Sequence, residues 1–386
     1  MKPNLIAKRI ATMPRAGIRV IFDAAQKYPD AIHLEIGQPD FPTPPPICQA
    51  AWTAIQAGQT RYTANPGTLE LRQDLVDSVF RTHSVNLTPE EIVVTTGGMG
   101  ALATSFEAII DPGDEILLPD PGWPNYGMQV VCAGGKPVAY NLNPADGFQP
   151  DFVDIAAKIT ERTKAILVNS PSNPTGSIIS AKAVEQLLAL TKQHDILLVA
   201  DEVYDNIVFD GPFTSFLRQD ARDRVLYINS FSKTYAMTGW RIGYLVAPAA
   251  IAREVAKLQE VYCACACSVS QAAARAALRL PTDKIQEMLA SYTRRRDILS
   301  SIFDPAGVKY FRPQGTFFLL LDIAVTGLDS QDFALKLLHE TQVAVAPGAT
   351  FGANARQHVR LSFALQDEKL TEGARRIVKF LNNYRR

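Results

Sequence analysis

The chain has 386 residues, 47% of them hydrophobic and 20% charged, with 23 Gly and 25 Pro. This is the make-up of a folded globular protein long enough for two or three domains of about 150 residues, and it excludes collagen-like and Pro/Gly-rich disordered architectures. Lys plus Arg number 39 and Asp plus Glu 39, so the basic excess that drives nucleic-acid binding through counterion release is missing and no nucleic-acid partner is expected.

The N-terminal stretch MKPNLIAKRI carries Lys2, Lys8 and Arg9 with no long apolar run behind them, and does not read as a secretory signal. The strongest apolar runs, 196–200 and 317–321, fall far short of the roughly 20 residues that span a bilayer. No membrane partner is expected, and the location expected is cytoplasmic. Residues 39–46, PDFPTPPP, cannot be helix interior and are expected to be extended, which suits a crossing between domains. From residue 88 onward, short apolar runs alternate with longer helical periods, the pattern of strands joined by crossover helices. The predicted strands are 92–96, 115–119, 164–169, 196–200, 224–229 and 243–247, with helices such as 101–110 and 181–194 between them. Beyond about residue 280 a long helix runs to 303. Strand-like runs at 308–312, 317–323 and 358–364 then alternate with helices at 330–341 and 368–384. The fold class is α/β: a mostly parallel sheet flanked by helices in a large domain, 46–280, and a smaller α+β domain built from 1–45 plus 281–386.

Five cysteines is an odd number, and Cys263, Cys265 and Cys267 alternate with alanine rather than following the C-x-x-C spacing of a zinc clamp. Reduced, packed thiols are expected. The histidines His33, His83, His194, His339 and His358 show no ligand spacing, so no metal is expected.

Three motifs carry chemistry. Gly98-Met99-Gly100-Ala101-Leu102-Ala103 fits G-x-G-x-x-A between a predicted strand and helix, with Asp120 about 20 residues on; alone it suggests a dinucleotide site and an NAD-dependent dehydrogenase. Its physics is broader, because glycines let backbone N–H groups approach any phosphate at a helix N-terminus. Asp201 follows the all-apolar run 196–200, at the carboxyl end of a central strand where open α/β sheets place ligands. Lys233 lies in SFSKTYAMTGWR with no charged residue within five positions on either side. A semi-buried amine results, one that loses its proton more readily and serves as base or Schiff-base nucleophile. With the guanidinium of Arg241, these groups match the three handles of pyridoxal phosphate: a phosphate, an aldehyde and a basic ring nitrogen.

The segment SFSKTYAMTGWRIGY resembles the Schiff-base segment of class I pyridoxal-phosphate aminotransferases of the aspartate aminotransferase-like group. The resemblance extends over nearly the whole chain through Gly37-Gln-Pro-Asp40, Tyr62 with Gly67 to Arg72, Gly97 to Leu102, Asn173-Pro-Thr-Gly176, Asp201-Glu-Val-Tyr204 and Val359-Arg-Leu-Ser362. It implies ping-pong transfer of the amino group from an L-amino acid to a 2-oxo acid. Lys233 would form the aldimine and move the Cα proton, and Asp201 would keep the pyridine nitrogen protonated. Tyr204 and Asn173 would hold the ring's phenolic oxygen, and Trp123 would stack on the ring. Phosphate binding falls to the backbone of Gly98 and Met99 with Ser230 and Arg241; Met99 stands where some relatives have a hydroxyl. Tyr62 would reach the phosphate of a neighbouring subunit, implying a homodimer with shared sites. Arg360 and the backbone of Gly37 would grip the substrate carboxylate as the small domain closes, while Ile18 and Ile36 fall where the side-chain pocket lies. A carbon–sulfur lyase on cysteine conjugates shares this machinery. A dicarboxylate donor needs a second cation, for which Arg15 and Arg19 are the candidates; 2-oxoglutarate or pyruvate is the default acceptor.

Overall fold

Runs dense in Val, Ile and Leu build the middle of the molecule. The computed structural model describes residues 5–11, 13 and 17–384. Its strands are β1 (Ile32–His33), β2 (Ile92–Thr95), β3 (Glu115–Asp120), β4 (Lys136–Asn143), β5 (Gln149–Pro150), β6 (Thr163–Asn169), β7 (Leu197–Asp201), β8 (Val225–Ser230), β9 (Gly243–Val246), β10 (Tyr310–Phe311), β11 (Phe318–Asp322), β12 (Val343–Ala344), β13 (Ala346–Pro347) and β14 (His358–Ser362). Strands β2 to β9 form one sheet in the order β2-β9-β8-β7-β6-β3-β4-β5. Neighbours from β8 across to β4 run parallel, β9 is antiparallel to β2 and β8, and β5 is antiparallel to β4. A second sheet, β10-β11-β14-β13, is antiparallel, and β1 pairs with β12.

The central strands are apolar on both faces because both faces are covered. In β7, Leu198 and Ala200 join one hydrophobic cluster while Val199 joins the opposite one. In β6, Ile166 and Val168 face the first cluster and Ala165 and Leu167 the second. A third cluster packs Phe318, Leu319 and Leu321 of the small sheet against the helices Thr282–Phe303 and Asp367–Asn382.

Four expectations are corrected. Strand β4 is absent from the predicted set: its first half is exposed at the sheet's margin, so it lacks the unbroken apolar run that marks a central strand. Asp201 is the last residue of β7, not the residue after it. The extended path of 39–46 stops at Pro44, since Pro45 and Pro46 open the helix Pro45–Gln56, where a missing N–H has no intrahelical acceptor to lose. The cysteines are free but not packed: Cys48, Cys132, Cys263 and Cys267 are exposed and Cys265 partly so. The last three belong to the turn between the helices Ala249–Tyr262 and Ser268–Ala277, which directs side chains outward. Among the described residues, no helix is long and apolar enough to cross a membrane, and no group of three or more His, Cys, Asp or Glu is placed to hold a metal.

The two sheets are joined at the end of β3. The Asp120 carboxylate accepts from the backbone N–H groups of Ala353 (3.0 Å) and Asn354 (3.1 Å), and the Gly122 N–H donates to Phe351 O (2.7 Å). Gly352 makes this possible, with φ +139° and no room for a Cβ, which would overlap the Asp120 carboxylate. Gly352→Ala is therefore expected to lower the unfolding free energy by about 2 kcal/mol, the scale of one forced backbone conformation. Gly58→Ala, at φ +71° with open space around it, should cost less. Urea titration of the two variants side by side checks the order.

Candidate active site

Parallel strands deliver their carboxyl ends to one edge of the sheet. Asn169 ends β6, Asp201 ends β7 and Ser230 ends β8, and all three line a cavity of about 760 Å³. Beside them the helix Gly97–Ile109 begins directly after β2 and brings Gly98 and Met99 to the same space. The single-turn helix Phe231–Thr234 follows β8; Ser230 Oγ caps it by accepting from Ser232 N–H (3.1 Å), and this turn presents Lys233.

Asp201 is buried. Its Oδ2 accepts from the Tyr126 hydroxyl (2.7 Å) and its Oδ1 from the Val203 N–H (3.3 Å), while Asn169 Nδ2 donates to its backbone oxygen (2.9 Å). Burial pushes the carboxyl up to about 6 against the pull of Tyr126, Val203 and Lys233. Lys233 Nζ donates to Gly37 O (2.8 Å) and lies 5.7 and 5.6 Å from the ring centroids of Tyr204 and Phe317. Burial, then the like charges of Arg360 and Arg241, bring its ammonium down to about 8, with Asp201 pulling the other way.

Arg360 rises from β14, buried, with its guanidinium 4.2 Å from the Phe318 ring centroid and 4.9 Å from that of Phe351. Nη1 donates to Asn173 Oδ1 (3.0 Å) and Nη2 to Glu35 O (2.6 Å), but the buried Nε has no partner. Arg241 has φ +50°, and its guanidinium would contact a Cβ on Gly97 at 2.7 Å; only glycine admits it. Trp123 and Tyr204 also line the cavity, the former packing its ring edge-on to Tyr126 at 5.4 Å. Gly37, Ile36 and, from the helix Gly17–Ala25, Ile18 and Arg19 complete the predicted wall. Arg19 is mostly exposed and paired with Asp23 at 3.1 Å; Arg15 lies outside the described residues.

Tyr62 is not brought there. Its side chain is 87% exposed and borders a separate cleft with Arg61, Arg275 and Arg279. Sequence reasoning assigned no role to Asn169, Phe318, Glu35 or Tyr126. No local signal marked Tyr126: it lies in the first turn of the helix Asn125–Cys132, with Trp123 in the loop before that helix.

The class I and II aminotransferase family model matches residues 29–377. The chain belongs to that family. It is a pyridoxal-phosphate-dependent aminotransferase. It is 38% identical to the aspartate/prephenate aminotransferase of Thermus thermophilus over 91% of each chain. The solved aspartate aminotransferase of Thermotoga maritima superposes with a TM-score of 0.93 at 35% identity, covering 98% of this chain and 100% of that one. The aromatic aminotransferase of Pyrococcus horikoshii gives 0.89 at 34%, covering 95% and 99%.

The aminotransferase's residues fit the cofactor. A buried carboxylate and a buried amine open into one cavity, and Gly97 and Gly98 at a helix N-terminus beside Arg241 form an anion cradle. The dinucleotide reading fails at Asp120, whose carboxylate is committed to the backbone of Ala353 and Asn354 and is not free for a ribose.

In the cofactor-free aminotransferase, acylation of Lys233, read by peptide mapping, should rise with pH around a midpoint near 8. Removing a like charge relieves the repulsion, so Arg360→Met is expected to move that midpoint upward. Because the native amine binds fewer protons than the unfolded one between about 8 and 10.5, Lys233 should make the apoprotein more stable as pH rises through that window. A Lys233→Met variant lacking that part of the slope checks the sign.

Proposed function

We propose that Lys233 carries the cofactor aldehyde and that Asp201 pairs with its ring nitrogen. The observation behind this is that the two groups open into one cavity from the turn after β8 and the end of β7. When bound, pyridoxal phosphate supplies an electrophilic aldehyde and a protonated ring that draws electrons from the substrate Cα. Lys233, its ammonium already disfavoured, takes the Cα proton as free amine and returns it to the adjoining carbon. Asp201 keeps its charge next to the ring nitrogen, where a neutral amide would not hold a proton. Tyr204 and the Asn173 amide nitrogen donate to the ring's phenolic oxygen, and Trp123 covers one ring face. The backbone of Gly98 and Met99, the Ser230 hydroxyl and Arg241 hold the phosphate.

Arg360 grips the substrate carboxylate bidentately from the small domain, 1–45 plus 281–386, closing on the large domain, 46–280, with the Gly37 backbone beside it. Ile18 and Ile36 present apolar surface to the substrate side chain, and Arg19 is the cation on the same wall for a distal carboxylate. We take the acidic and aromatic donors named for the relatives as the substrate classes to test first, with 2-oxoglutarate or pyruvate as acceptor. The exposed Tyr62 serves the phosphate of a second copy in a homodimer, and free cysteines suit a cytoplasmic location.

Borohydride treatment of the holoenzyme followed by peptide mapping should place the fixed cofactor on Lys233; label on another lysine refutes the assignment. Amino acid alone should convert the bound cofactor to its amine form and keto acid should reverse it, whereas ammonia release would indicate a lyase. Arg360→Ala should raise KM for the amino acid by roughly a hundredfold, in line with loss of a bidentate charge-assisted pair, in steady-state assays.

A further inference from the structure

We infer that Tyr126 is a positioning residue for the reaction: its hydroxyl occupies Asp201 Oδ2 and so fixes the orientation and charge that this carboxylate offers the ring nitrogen. The inference rests on the site reading proposed above. Both side chains are buried, Tyr126 2% and Asp201 4% exposed, and their 2.7 Å hydrogen bond is the only one a side chain donates to that carboxylate among the described residues. Tyr126 belongs to the same buried hydrophobic cluster as Leu102, Leu118 and Val130, a role phenylalanine would fill equally. The hydroxyl is therefore spent on Asp201 alone, and a buried donor of this kind is costly to leave unpaired.

The titratable groups facing Asp201 are Tyr126 from the helix Asn125–Cys132, Lys233 from the turn after β8, and Tyr204 and Glu202 from its own strand's continuation. Burial raises the carboxyl, and Tyr126 and Lys233 oppose it. Once the amine of Lys233 is engaged in chemistry, Tyr126 is the side chain still favouring the carboxylate. Losing its hydroxyl shifts Asp201 further upward, so the ring-nitrogen proton is held less well and the acid limb of the reaction moves to higher pH.

The test uses the holoenzyme and the variants Tyr126→Phe, Tyr126→His, Asp201→Asn and the Tyr126→Phe/Asp201→Asn double. It records the single-turnover rate with amino acid and the pH dependence of the cofactor's visible absorption. Tyr126→Phe is expected to slow the half-reaction about tenfold, the scale of one hydrogen bond to a charged group, with half-saturation within about twofold of wild type. Its acid limb and absorption midpoint should move together, and Tyr126→His, which keeps a donor, should recover part of the loss. In the Asp201→Asn background the Tyr126→Phe effect should vanish. An unmoved absorption midpoint, or an equal loss in the Asp201→Asn background, overturns the inference. Should Tyr126→Phe fail to load cofactor, equal failure of Tyr126→His assigns packing alone and also overturns it, while loading of the histidine variant supports it. Full activity of Asp201→Asn itself would instead sink the underlying site reading.

Discussion

The site depends on keeping opposite and like charges together out of water. A buried ionisable group is destabilised by the solvent it has lost, and the relief available is whatever the cavity wall provides. For Lys233 that relief is small: one carbonyl, Gly37 O, accepts from it, Asp201 attracts it, and Arg360 and Arg241 repel it. Holding the ammonium near 8 instead of 10.5 amounts to roughly 3 kcal/mol against the charged form. That penalty brings the neutral amine within reach near neutral pH. Asp201 feels burial in the reverse sense, and three partners restrain it.

Charge placement in turn depends on the contact between the two sheets. Arg360 belongs to the small sheet, yet its two terminal nitrogens are held by Asn173, from the loop after β6, and by the backbone of Glu35. The rings of Phe318 and Phe351 both lie against its guanidinium. The cation that penalises Lys233 is thus positioned from both sides of the cleft, so any shift between the sheets alters the electrostatics of the amine.

The sequence made the central strands legible because both of their faces are buried: runs such as 164–169 and 196–200 need no partner to be recognised. Helix limits followed where a cap marks them, as at Asp329 before the helix Ser330–Thr341. β4 escaped notice because a half-exposed strand at the sheet's margin mixes polar and apolar residues without strict alternation. Lys233, Asp201 and Arg241 stood out through local patterns that strand ends impose. Arg360 had no local signal, being one arginine in an apolar strand, and only the family resemblance singled it out. Tyr126 was hidden for a related reason: its partner is 75 residues away in sequence, and that pairing exists only once β3 and β7 lie in the same sheet.

The segment from Asp120 to Tyr126 concentrates these dependencies. Asp120 holds the loop at Gly352, Gly122 donates to Phe351, Trp123 borders the cavity, and Tyr126 reaches Asp201, all within seven consecutive residues. Phe351 in turn lies against the Arg360 guanidinium. One short stretch after β3 therefore connects to Arg360 through Phe351 on one side and to Asp201 on the other. Such a stretch tolerates little change in length, because an inserted residue would displace Trp123 and the start of the helix that carries Tyr126 relative to Asp120 and separate both from their partners. Substitutions within it are more easily accommodated when they keep the backbone path, which is why removing a single hydroxyl at Tyr126 isolates the electrostatic contribution while replacing Gly122 would not.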